Sequence, residues 1–209
     1  MESPELHYKY RGLWSPHIKV LFELLMESES HDLMVELIGC LANMTLLDIP
    51  ANSNWPKLLR EFNVINFLNK LLNPGLAQND LILEIVMLLA AISSDAAACS
   101  LITSSSLLGT LYQLFKEKSE SDAEFTLQIL NCFHKLLLHP TAKEEVMYST
   151  RMVVDIIDCL THRSVVIRSK AEKMSEIGTL HISLAVLPFF TFILMALILR
   201  ILRVCILVW

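Results

Sequence analysis

Apolar residues along this chain recur at i, i+3, i+4 and i+7, the spacing that gives a helix one buried face. Val20, Leu21, Leu24 and Leu25 show the pattern early, and Leu127, Leu130, Phe133 and Leu137 show it late. Helix formers fill the runs. Breakers fall between them, at Asp48-Ile49-Pro50, Asn73-Pro74-Gly75, Ser93-Ser94-Asp95, residues 119–122 and His139-Pro140. The pattern therefore predicts helices separated by short polar turns.

The runs repeat. HIKVLFELL begins at 17, VINFLNKLL at 64, LLGTLYQLF at 107 and MVVDIIDCL at 152, so the offsets are 47, 43 and 45 residues. Each is followed by a longer amphipathic run, at 32–46, 80–93, 123–138 and, more weakly, 165–177. Shorter runs at 55–62, 97–104 and 142–149 sit between the units. A period in the low-to-mid forties with short, medium and long helices is that of armadillo and HEAT arrays, and tetratricopeptide and ankyrin periods are too short. The predicted fold is all-α: an armadillo/HEAT-like right-handed α-solenoid of about four repeats, with a hydrophobic C-terminal helix. Each unit of such an array buries its apolar face only against its neighbours.

The long third helix of an armadillo unit lines the concave surface. Aligning the long runs puts Glu36, Gly39 and Asn43 in register with Glu84, Met87 and Ala91, and with Gln128, Asn131 and Lys135. The i, i+3, i+7 spacing places each triple on one helix face. Glu36, Asn43, Glu84, Met87, Ala91, Gln128, Asn131 and Lys135 are thus the candidate protein-binding residues. The alternative is a merely solvated inner face. In nuclear-import receptors and catenins an Asn recurs at the third position and holds an extended peptide's backbone. Here only Asn43 provides it, which argues against a nuclear-signal receptor.

Charge narrows the partners. The 22 acids outnumber the 17 Lys and Arg, for a formal net charge of −5, whereas a general nucleic-acid binder carries a basic excess. Five Gly and seven Pro are too few for a collagen, a low-complexity linker or a turn-rich all-β fold. Apolar residues make up 54% of the chain, and they concentrate at its end, where 24 of the last 30 residues are apolar. The sequence thus divides into an acidic body, 1–178, and a hydrophobic tail, 179–209. Residues 182–199 carry no charge and as a helix would span about 27 Å, just short of a ~30 Å hydrocarbon core. The tail has three readings: an extension foreign to the array, a membrane anchor, or an apolar cap on the last repeat. Membrane contact follows only if the 182–199 segment is physiological. The opening MESPELHYKYRGLW lacks the apolar stretch of a signal peptide, which places the expected body in the cytosol.

Constellations for catalysis are sparse. The five glycines stand apart at 12, 39, 75, 109 and 178, so no phosphate-cradling loop is formed. His134 and His139 are five apart and off a common helical face, and neither has a Cys or carboxylate at metal-ligand spacing. The Ser runs at 104–106 and 119–121 lack a nucleophile-turn motif. Cys40, Cys99, Cys132 and Cys159 sit in apolar helical runs, and with Cys205 make an odd number without a CxxC pair; the first four read as reduced, buried hydrophobes. No cofactor or metal is expected. Arg163, Arg168, Lys170 and Lys173 face only Glu172 and Glu176, a basic set that could meet anionic partners or flank a membrane. The simplest expectation is a solvated end-repeat helix.

GCLANMT (39–45), NWPKLLREFNVINFLNKLLNPG (54–75) and NDLILEIVMLLAAIS (79–93) resemble the later armadillo repeats of the kinesin-associated proteins, the non-motor subunits of heterotrimeric kinesin-II. Asp80, Leu81, Leu83, Glu84 and Val86 match that family's D-L-x-L-E-x-V helix. DAEFTLQILNCFHKLLLH (122–139) and VVDIIDCLTHRSVVIR (153–168) resemble further family helices. The resemblance covers about residues 35–177 and stops where the tail begins. Family members are several times longer, so the chain is expected to be a short form, a fragment or the product of a truncated gene model. The resemblance implies a non-catalytic adaptor that binds kinesin-II motor subunits and cargo for microtubule-based, intraflagellar transport, located in the cytoplasm, cytoskeleton and cilium. A second reading is a tail-anchored membrane tether with a helical-repeat cytosolic head.

Overall fold

The computed structural model describes residues 15–48 and 55–185. Among them the helices follow the predicted runs closely: α1 (Ser15–Glu27), α2 (His31–Asp48), α3 (Trp55–Glu61), α4 (Val64–Leu71), α5 (Asn79–Ile92), α6 (Ala96–Thr103), α7 (Leu107–Lys118), α8 (Ala123–Leu137), α9 (Pro140–Ser149), α10 (Met152–Cys159) and α11 (Val165–Ala185). No strand occurs among the described residues.

The breaks have local causes. The Asp95 carboxylate accepts the Ala98 N–H at 2.8 Å and starts α6. Asp122 accepts the N–H groups of Glu124 and Phe125 at 3.0 and 3.1 Å and starts α8. Such caps satisfy donors that the helix itself leaves open, and each stabilises by about 1 kcal/mol. Pro140 opens α9, where its missing N–H costs nothing. Asn63, at φ 50°, turns the chain between α3 and α4. Gly75, at φ 84°, turns it between α4 and α5 in open space, so backbone conformation rather than packing calls for glycine there.

The helices stack in layers. The long helices pack in the order α2–α5–α8–α11, and the short ones in the order α3–α6–α9. Of the medium helices, α4 packs on α7. Helix α7 reaches α10 through Asp155, which accepts from the Tyr112 hydroxyl at 2.8 Å and the Lys116 ammonium at 2.9 Å. The described residues thus contain three complete three-helix units, α3–α5, α6–α8 and α9–α11, preceded by the α1–α2 pair. One apolar core runs through all of them, from Ile18 to Met174.

Polar links join each unit to the next. His139 Nε2 lies 3.2 Å from the Ser93 carbonyl, and His162 Nε2 lies 3.2 Å from that of Ser119. The Gln78 N–H donates to His31 Nε2 at 3.2 Å. Asn69 donates to the Ser106 hydroxyl at 2.9 Å and accepts from that of Thr110 at 2.8 Å.

Two expectations change, and a third falls largely outside the described residues. The run expected at 165–177 continues as α11 to Ala185. Among the described residues no helix is long and apolar enough to cross a membrane. The expected hydrophobic C-terminal helix is not shown: residues 186–209, with most of the 182–199 segment and Cys205, lie outside the described residues, as do residues 1–14 and the break at Ile49-Pro50. Cys99, Cys132 and Cys159 are buried, but Cys40 is exposed, because it falls on the side of α2 turned away from Leu37, Ile38 and Leu41.

The first unit is closed by an aromatic cluster. Phe22 of α1 meets Trp55 edge-on, with ring centroids 5.8 Å apart, and stacks on Phe62 at 5.6 Å. Phe22 is fully buried. Phe22→Ala should therefore cost about 3–5 kcal/mol of unfolding free energy, whereas Leu76→Ala, at a side chain mostly in water, should cost less than about 0.5 kcal/mol. Urea denaturation followed by circular dichroism separates the two, and equal shifts would contradict the cluster's place in the core.

Candidate binding face on the long helices

On α2 and α5 the aligned positions form an acidic corner. Gly39 of α2 leaves room for the Glu84 carboxylate of α5, since a Cβ on Gly39 would come within 3.0 Å of Glu84 Oε2. Partial burial raises the Glu84 pKa above the ordinary carboxylate value, and the charge of Glu36 raises it further. Glu36 is exposed. Asn43 is exposed as well, but its amide already donates to the Gly39 carbonyl of its own helix at 3.0 Å. The one Asn at the peptide-holding register therefore has its own backbone as a partner.

Met87 is half-buried on the same stripe. Ala91 is not part of the face. It is only 4% exposed, because α5 is packed between α2 and α8 and its last turn is closed in with Leu88, Leu89 and Ile92. On α8 a polar ladder starts from an acid: Gln128 donates to Glu124 Oε1 at 2.8 Å, and Asn131 donates to Gln128 Oε1 at 3.1 Å. Lys135 stands half-buried beyond them, near the helix end. The eight predicted residues are thus spread over α2, α5 and α8. Seven are exposed or half-exposed along three adjacent helices, and one is in the core.

The sequence singled out Lys170 and Lys173 as part of a basic set, but not their meeting with His134 and Lys135 across α8 and α11. Lys170 Nζ lies 2.7 Å from His134 Nδ1. Burial lowers the pKa of Lys170, and the charges of Lys135 and Lys173 lower it further. His134 is lowered first by burial, then by Lys170, Lys135 and Lys173. Every charge acting on these two groups is positive. A signal was available: aligning the buried Ala171 with the buried Ile129 puts Lys170 in register with Gln128 and Lys173 with Asn131. Arg163 and Arg168 serve otherwise. Arg163 donates to the Glu120 carbonyl at 3.2 Å, and Arg168 to those of His162 and Arg163 at 2.6 and 3.0 Å.

The buried thiols are poor nucleophiles, since burial pushes Cys99 and Cys132 up to about 12 and Cys159 to about 11. Among the described residues no group of three His, Cys, Asp or Glu side chains is placed to hold a metal.

Three-helix units, a continuous long-helix layer and a polar stripe along it define an armadillo-repeat protein. Solved structures agree on the fold. A designed armadillo repeat protein in complex with the peptide (KR)4 superposes with a TM-score of 0.63 at 17% identity, over 84% of this chain and 75% of that one. A computationally designed armadillo repeat protein for modular peptide recognition gives 0.62 at 16% identity, over 77% of this chain and 63% of that one. Within that class the sequence is more specific. The profile of the kinesin-associated protein (KAP) family matches residues 10–181, and the chain belongs to that family.

The shifted groups give a pH signature. The folded His134 pKa lies below its unfolded value, so the unfolded chain binds more protons in the window between them. The stability tied to its neutral form is present above about pH 6.5 and lost as pH falls through that window. Glu84 has the opposite sign: its raised folded pKa makes the ionised form the costlier one above the ordinary Glu value. His134→Gln should flatten the loss of stability between about pH 7 and pH 5 relative to the unsubstituted chain. Parallel pH profiles would contradict the packing of His134 against Lys170.

Proposed function

We propose that this chain is a non-catalytic adaptor of the heterotrimeric kinesin-II motor, joining motor subunits to cargo for microtubule-based, intraflagellar transport in the cytoplasm and cilium. Its membership of the kinesin-associated protein family carries the reading. The long-helix layer supports it. An array of stacked helices offers a stiff surface, and on this one Glu36, Asn43, Glu84, Met87, Gln128, Asn131 and Lys135 would meet a helical or extended segment of a motor tail or cargo. Apolar side chains such as Met87 supply affinity in such contacts, and rim charges select the partner. The designed neighbour in complex with (KR)4 offers an analogy for the acidic corner, where Glu36 and Glu84 would suit cationic side chains.

The test is binding of the full chain to a purified kinesin-II motor heterodimer, read by analytical ultracentrifugation. The unsubstituted chain should co-sediment. Glu84→Lys together with Lys135→Glu should weaken the complex by about tenfold or more, as loss of several charge pairs would, with helix content unchanged by circular dichroism. A chain that does not bind the heterodimer overturns the adaptor reading. A double variant that binds as well as the parent removes this face from it.

A further inference from the structure

We propose that the long-helix layer is a two-signed docking strip: its α2–α5 end receives the cations, and its α8–α11 end the carboxylates, of one extended partner segment. The inference rests on the adaptor reading for its setting and on charge placement for its content.

At one end Glu36 and Glu84 are neighbours of like sign, and the Glu84 carboxylate lies in the space left by Gly39. At the other end Lys135, Lys170 and Lys173 gather around His134, with Lys170 held at 2.7 Å from the imidazole rather than by a carboxylate. Like charges held close raise the cost of each corner, and an incoming opposite charge relieves it. The arginines of the same region donate to backbone carbonyls. Between the corners, Gln128 and Asn131 are neutral.

For an extended segment, spacing fixes the length. Adjacent packed helices lie about 8–10 Å apart, and the two corners are two helix steps apart, so their separation is about 16–20 Å. An extended chain rises about 3.3 Å per residue and covers that distance in about six residues. The partner is therefore a peptide segment with a Lys/Arg cluster and an Asp/Glu cluster separated by about six residues. A purely basic or purely acidic segment fills only half of the strip.

The experiment is fluorescence anisotropy on the full chain at low salt with labelled synthetic peptides. The probes are KRK-GSGSGS-DED, a peptide of the same composition with alternating charges, and two half-peptides in which either the basic or the acidic cluster is replaced by Ser. The two-signed peptide should bind about tenfold tighter than the alternating one. Lys173→Glu, at an exposed side chain, should weaken the two-signed peptide and the acidic half-peptide and leave the basic half-peptide unchanged. Glu36→Lys, also at an exposed side chain, should do the converse. Equal binding of the alternating peptide overturns the strip, as does loss of both half-peptides with either variant. A chain that captures the motor heterodimer without discriminating the peptides keeps the adaptor reading and loses the strip. Discrimination without motor capture does the reverse.

Discussion

Everything in this molecule depends on the packing of each long helix against the next. Helix α5 is closed in by α2 on one side and α8 on the other, and α8 is likewise held between α5 and α11. Neither could bury its apolar side chains within its own unit. Ile85, Val86, Leu88 and Leu89 of α5, and Ile129, Leu130, Cys132 and Phe133 of α8, are essentially inaccessible to water only because a neighbouring unit covers them. Stability is thus shared between neighbours, and the cross-unit links of His31, Asn69, His139 and His162 fall where one unit's turn meets the next. They satisfy polar groups at the seams while the apolar stack supplies the driving force.

That stacking also decides what is left outside. A helix buried on two sides has a narrow remaining stripe, and successive helices present their stripes side by side. On α2 and α5 the stripe is acidic, on α8 it carries an amide ladder, and where α8 meets α11 it is basic. Such a surface is spread across four adjacent helices. What it offers is an ordered series of charges and hydrogen-bonding groups along the stack, which suits recognition of another chain. Membership of the kinesin-associated protein family is consistent with that use.

The architecture was legible in the sequence because period and turn chemistry agree. The runs at 17, 64, 107 and 152 and the breaks at Asn73-Pro74-Gly75, Ser93-Ser94-Asp95 and His139-Pro140 mark helix ends that the structure reproduces within a few residues. The face was legible only in part. Helical spacing identifies which residues share a side, but not how deeply a neighbour covers that side. Ala91 shares the register of Asn43 and Lys135 yet lies in the core, because α5 is enclosed on both sides. Pairs across units were not legible either. Nothing local to Gly39 announces the Glu84 carboxylate, and nothing local to His134 announces Lys170, since each meeting depends on the angle between two packed helices. His139 and His162 lie 46 and 43 residues from their carbonyl partners, one period away, and only the assembled stack reveals their role.

The most direct test of the account is hydrogen–deuterium exchange on the full chain, alone and saturated with the kinesin-II motor heterodimer. The account predicts added protection along α2, α5, α8 and α11, the helices that carry the polar stripe, with the short-helix layer α3, α6 and α9 unchanged. Protection confined to α3, α6 and α9, with the long helices exchanging as in the free chain, would contradict it.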